Sequence, residues 1–226
     1  MADNQLAFES ILEETFKIRE SLIDKYIQAN RLKYVSFART IAPNLQDWAQ
    51  VWDRLAFAIL SANTPFDDSV KALAYVTDHK GHASPSYLAV FKCVPAKADY
   101  LNLLPRGKRV FTLLKGDKED WQAYRLRLFR TVKGLGLAKA SFAASLLYPM
   151  TSDLACLDTW MQKHYLRRSS FKQLGQRDYV KVEARVRQVA KRNLLPSTFL
   201  AQWMIWDSLR NETNNHAIFP SSHKEY

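Results

Sequence analysis

Apolar positions recur along this chain at three- and four-residue intervals and almost nowhere at every second residue. That spacing gathers side chains on one face of an α-helix rather than on a strand. Residues 7–31 read as a first helix, with Phe8, Ile11, Leu12, Phe16, Ile18, Leu22 and Ile23 in a broad stripe. Residues 45–61 suit a buried helix capped by Asn44. At "NTPFDDSVKALAYV" a helix restarts: Thr64 can accept from exposed amides, Pro65 fits the first turn, and Asp67 and Asp68 suit the positive helix end. Residues 119–132 and 137–149 give two more helices, and "TWMQKHYLRR", "QRDYVKVEARVRQVAKRN" and "PSTFLAQWMIWDSLRN" have helical spacing too. "HKGHASPSY" and "LLPRGKRVFTLLKGDKE" read as connections with short structured pieces, and the tail "HAIFPSSHKEY" as irregular. The pattern predicts an all-α fold with too many helices for one simple bundle.

Composition narrows the function. Lys and Arg total 33 against 22 Asp and Glu, a formal charge of +11 that favours a polyanionic partner. Cys93 and Cys156 stand alone without metal-ligand spacing, which argues against a cysteine-bound zinc or iron–sulfur site. The charged, mixed N-terminus is no signal peptide, and the best apolar run, "LAFAILSA", is far too short to span a membrane. The chain reads as a reduced, intracellular protein.

Two of the six glycines flank one leucine in "VKGLGLAKASF". Helix, Gly-apolar-Gly, helix is the order of a helix-hairpin-helix. Gly134 and Gly136 permit a tight path and clear Cβ atoms from a ligand-facing surface, while Leu135 anchors the turn. Amides of the turn and the next helix can then meet a phosphate. An ordinary αα-corner that needs glycine at a helix end fits the same residues. Arg125, Arg127, Arg130 and Lys133 around the turn favour the phosphate reading.

Sixteen residues beyond Phe142 comes Asp158, in "CLDTW". Asp158 can cap the helix that follows, and behind its apolar approach it can also stabilise a developing cation. "KGLGLAKASFAASLL", "CLDTW" and the upstream "LAFAILSANTPFDDSVKAL" together resemble the helix-hairpin-helix/Gly-Pro-Asp DNA glycosylase superfamily, which includes endonuclease III and 8-oxoguanine glycosylase. The resemblance covers roughly residues 45–170. It implies one unit over 1–226, built of two helical subdomains with a DNA-binding cleft between them. Residues 45–150, hairpin 119–149 included, would form one subdomain, and 1–44 plus 151–226 the other.

The implied activity is base excision from double-stranded DNA by a monomer. A damaged or modified base swings out of the stack and its N-glycosidic bond is cleaved. Asp158 matches the family's essential aspartate. Asn63 falls where members carry a polar residue that probes the vacated gap, although a turn-forming Asn fits equally. Trp160 departs from the His or Asn often found there. No iron–sulfur cluster is expected, and a monovalent cation at the hairpin is compatible with the family pattern.

Bifunctional members attack the sugar with a lysine early in the second hairpin helix, forming a Schiff base before strand cleavage. The separation of Lys139 from Asp158 suits that role, but a strict hairpin register puts the lysine position on Ala138. One residue turns a side chain by about 100°. Either Lys139 is the nucleophile of a glycosylase/lyase, or it contacts phosphate while Asp158 activates water. Basic residues crowd residues 159–192, and Lys163, Arg167 and Arg168 are the expected phosphate contacts. Trp203 and Trp206 read as core, and His164 as structural or a phosphate donor. Two other classes stay open: a phage-type base-hypermodification enzyme and a non-catalytic DNA-binding protein.

Overall fold

Asp47, Asp120 and Asp158 each accept from a free backbone amide where a helix begins. The computed structural model describes residues 2–166 and 175–210, with side chains from residue 14 onward. Its helices are α1 (Ala2–Ile41), α2 (Trp48–Leu60), α3 (Phe66–Asp78), α4 (Pro85–Val90), α5 (Ala96–Leu103), a 3-10 turn (Gly107–Leu113), α6 (Trp121–Thr131), α7 (Leu137–Leu147), α8 (Thr159–Leu166), α9 (Gln176–Arg192) and α10 (Thr198–Arg210). No strand occurs among the described residues. The all-α expectation holds; the tail lies outside the described residues.

Several local readings change. Helix α1 continues ten residues past the expected end and buries Ile23, Ile27, Tyr34, Ala38 and Ile41. Ile18 and Leu22, expected in the apolar stripe, face water at 58% exposure each. Asp47, not Asn44, caps α2, accepting from the Ala49 and Gln50 amides at 2.9 and 3.4 Å. Asn44 instead accepts from Gln46 in the preceding turn. Thr64 does not cap α3, because the Lys97 ammonium occupies its hydroxyl. Helix α4 begins in a stretch read as a connection and α5 lies almost wholly between the two such stretches, both helices being too short to display a helical period.

Helix α2, apolar around most of its circumference, packs on α3, α5, the 3-10 turn and α7. Helices α6 and α7 pack on each other as the arms of a hairpin. Ala140, Ala143 and Ala144 are fully buried, which lets backbones approach closely. Helix α10 lies against α1, α8 and α9.

Arg125 does not meet DNA. Its side chain is fully buried, and Nη1 donates to Glu183 Oε1 at 2.8 Å, also fully buried. Glu183 in turn accepts from Gln122 Nε2 at 2.8 Å and from the Ala155 amide at 3.0 Å. The Tyr179 hydroxyl donates to Ala155 O at 2.7 Å and accepts from the Leu157 amide at 3.1 Å. This network ties hairpin helix α6, helix α9 and the extended segment 154–157 together. Desolvating two charges is costly, and only a complete set of partners offsets it.

Removing one partner strands the other. Glu183→Ala is expected to lower unfolding free energy by about 3–5 kcal/mol, read by denaturant titration. A loss below about 1 kcal/mol contradicts the role given to the pair.

Candidate functional site

The hairpin turn carries different constraints on its two glycines. Gly134 has φ +87°, and a Cβ there would lie 2.5 Å from the Tyr100 ring. Backbone conformation and close packing both exclude a side chain. At Gly136 a Cβ would meet nothing within 4 Å, so the protein's own packing leaves that side open. Leu135 is buried beneath the turn. Lys133 is exposed beside it. Gly136 sits at the N-cap position of α7 without a side-chain cap, leaving first-turn amides directed outward.

Gly134, Gly136, Ala138 and Lys139 border a cavity of about 760 Å³. That size lies within the roughly 300–1,000 Å³ of small-molecule sites. Asn63 and its neighbours form one margin, Asp158 and Trp160 another, and α10 supplies Gln202, Trp203 and Trp206. Trp203 is therefore both core and cavity wall: it is 3% exposed and stands edge-on to Phe199 at 5.1 Å.

Asp158 ends the buried segment 154–157. Its Oδ1 accepts from the Met161 amide at 3.0 Å, so it does cap α8. Burial raises its pKa above the ordinary aspartate range, against the pull of the Met161 amide, the Lys139 ammonium, the Trp206 indole and the Trp160 amide. Burial also pushes the Cys156 thiol up to about 12, opposed by the same lysine. Both neighbours thus feel the Lys139 charge. Lys139 Nζ donates to Ser61 Oγ at 3.0 Å and stands 5.0 Å from the Phe142 ring centre. Lys139 and Ala138 both reach the cavity margin, so the one-residue register question does not remove Lys139 from Asp158's cavity.

The expected basic contacts divide. Lys163 is exposed on α8, 5.5 Å from the centre of the Trp160 ring, outside the cavity lining. Arg167 and Arg168 lie outside the described residues. Arg127 is bound to Glu119 at 2.8 Å and to the Leu114 carbonyl at 2.7 Å. Arg187 pairs with Asp153 at 2.6 Å, and Arg192 with Glu20 and Asp24 at 2.8 and 3.0 Å. His164 is structural, buried between Glu20, 2.9 Å away, and the stacked Phe16 ring. Among the described residues no group of His, Cys, Asp and Glu could hold a metal ion, and no helix is long and apolar enough to cross a membrane.

Sequence reading missed Tyr100, Ser61 and Gln202. Gln202 is 6% exposed, and its Oε1 has no hydrogen-bond partner among the described residues. Gln202 and Trp206 are four residues apart, a spacing that reports a shared helix face but not that the face lines a cavity.

The described residues form an all-helical architecture with a helix-hairpin-helix beside the cavity. More specifically, the fold is similar to that of solved 8-oxoguanine DNA glycosylases. It superposes on the 8-oxoguanine DNA glycosylase of Thermotoga maritima with a TM-score of 0.69 and 19% identity, over 89% of this chain and 99% of that one. The 8-oxoguanine glycosylase/lyase of Methanocaldococcus jannaschii, in complex with DNA containing 8-oxoguanine, gives 0.70 and 18% over 84% and 98%. A second structure of 8-oxoguanine DNA glycosylase from M. jannaschii gives 0.65 and 18%, over 83% and 93%. By sequence, no protein-family model and no curated protein matches.

The two glycines are expected to fail differently. Gly134→Ala should cost about 1–3 kcal/mol of stability, because it forces a side chain into a left-handed position against Tyr100. Gly136→Ala should change stability by less than about 0.5 kcal/mol yet weaken duplex DNA binding. Thermal melts and fluorescence anisotropy measure the two effects; equal behaviour of the variants contradicts the assignment.

Proposed function

We propose that the protein is a DNA glycosylase with lyase activity, acting on an extruded base held in the cavity beside the hairpin. The observation that carries this reading is the convergence of Lys139, Asp158 and the open side of Gly136 on one cavity. Outward amides of the hairpin would hold a phosphate of the damaged strand. Lys133 and Lys163, with Arg167 and Arg168, would supplement that grip, making binding fall as salt rises.

The chemistry follows from the two side chains. After its ammonium gives up a proton, Lys139 attacks C1′ of the everted nucleoside as the C1′–N bond breaks, and the bonding electrons leave with the base. Of the two protons the ammonium sheds on the way to the iminium, one ends on the departing base and the other on O4′ as the C1′–O4′ bond opens. Elimination then takes a proton from C2′ and expels the 3′-phosphate, cutting the strand. Asp158, whose ionised form the Met161 and Trp160 amides and the Trp206 indole favour against the cost of burial, stabilises positive charge on the sugar as carboxylates do in glycoside hydrolysis. Phe142, Trp203 and Trp206 supply apolar surface against which a flat base can lie.

An oxidised purine is the first substrate to test, since both organisms' enzymes above are named for 8-oxoguanine. Oxidation gives guanine an N7–H in place of a bare acceptor, and Gln202 Oε1 is an acceptor that such an N–H can satisfy. Asn63, exposed at the cavity margin, is placed to enter the gap left in the duplex.

Duplexes carrying one 8-oxoguanine, uracil, alkylated purine or modified pyrimidine provide the test. The reading predicts free base released from at least one of them. An altered base retained in DNA would instead support hypermodification, and binding without any product a non-catalytic role. Asp158→Asn keeps a capping acceptor, so melting should stay within a few degrees while excision falls about 10²–10⁴-fold. Lys139→Gln should abolish strand cleavage.

The pH dependence has a definite sign. Excision needs Asp158 ionised, and its pKa lies above the ordinary range. Activity should therefore be lost, as pH falls, at a higher pH than an exposed aspartate would give. The ammonium favours the carboxylate, so any residual base release by Lys139→Gln should show that acid limb shifted further upward. An unshifted or lower limb contradicts the electrostatic link.

A further inference from the structure

Lys97 takes no part in the chemistry above, yet it is 3% exposed and carries a charge. It sits in the first turn of α5, the positive end of a helix, where a cation is disfavoured. Burial lowers its pKa, and the Lys139 charge acts in the same direction. No carboxylate of a described residue lies within ion-pair distance of it.

Its two acceptors explain the placement. Lys97 Nζ donates to Leu60 O, the last carbonyl of α2, at 2.7 Å, and to Thr64 Oγ1 at 2.5 Å. A cation at a helix C-terminus is favoured, and Leu60 O otherwise accepts a long 3.5 Å bond from Ser69 Oγ. Leu60 and Thr64 bracket the turn Ser61–Ala62–Asn63. One ammonium therefore closes both ends of the turn from beneath, while Lys139 bonds Ser61 from the hairpin side. Asn63, at the exposed crown, stands at φ 53°, in the left-handed region that Asn enters more readily than other residues with a Cβ. Cys93 Sγ, 3.8 Å from Thr64 Oγ1, fills the remaining side.

We infer that Lys97 is the positioning residue of this turn: it holds Asn63 pre-formed at the cavity margin, and so sets how well the protein fills the gap in a duplex that has lost a base. The inference rests on the proposed placement of Asn63 in that gap. Pre-forming the turn removes an ordering cost that would otherwise fall on binding.

The probe is affinity for a duplex containing one tetrahydrofuran abasic site, compared with the intact duplex, which requires no turnover. Wild type is expected to prefer the gapped duplex. Lys97→Met and Asn63→Ala should each lower affinity for it by about tenfold and leave affinity for intact DNA unchanged, as loss of a charge-assisted hydrogen bond would do. The double variant should be no weaker than either single one, because both remove the same interaction. Thr64→Val, which deletes the acceptor and keeps the lysine, should reproduce the loss if Lys97→Met folds poorly. Equal losses on both duplexes, additive losses in the double variant, or an undiminished preference in Lys97→Met and Thr64→Val would each overturn the inference. Base release from the panel of altered duplexes, read separately on wild type, shows whether the enzyme reading itself fails.

Discussion

A guanidinium and a carboxylate, both withdrawn from water, join parts of this protein that are distant in sequence. Arg125 belongs to the first arm of the hairpin, Glu183 to α9, and the Ala155 amide that donates to the same Glu183 oxygen belongs to the segment that delivers Asp158. Satisfying the buried charges fixes that segment against the hairpin to hydrogen-bond tolerance. The glycine turn and the aspartate therefore cannot drift independently. The proposed site, which would hold a phosphodiester chain while attacking a sugar, would need that rigidity, since small misplacements cost large factors in rate.

The same buried environment tunes the reacting groups. Withdrawal from water raises Asp158 and Cys156, and the Lys139 ammonium opposes both shifts. Opposite charges in a poorly solvated cavity interact more strongly than at a surface, so the lysine and aspartate act as a unit. Aromatic rings from α7 and α10 keep the cavity apolar around them. A charged sugar intermediate would meet one pre-oriented carboxylate rather than mobile water.

Much of this was legible in the sequence because it is local. The Gly134–Leu135–Gly136 turn, the aspartate ahead of α8, and the helices themselves express short-range conformational rules. What stayed hidden depends on distant partners. Arg125 beside Lys133 looks like a phosphate contact until Glu183, 58 residues later, meets it in the core. Tyr100 explains why Gly134 cannot change, yet no nearby residue announces that contact. Ile18 and Leu22 continue an apolar pattern but face solvent, since α1 rotates to present Ile23 and Ile27 to its neighbours. Gln202 and Lys97 carry no motif; only the fold shows that one borders the cavity and the other lies beneath its turn.

The central claim is that the hairpin delivers a sugar to Lys139 and Asp158 together. Borohydride reduction of the wild-type protein on DNA carrying an abasic site, followed by peptide mapping of the covalent product, tests it most directly. The account predicts a single adduct on Lys139. No adduct, or one on Lys133 or another surface lysine, would contradict it.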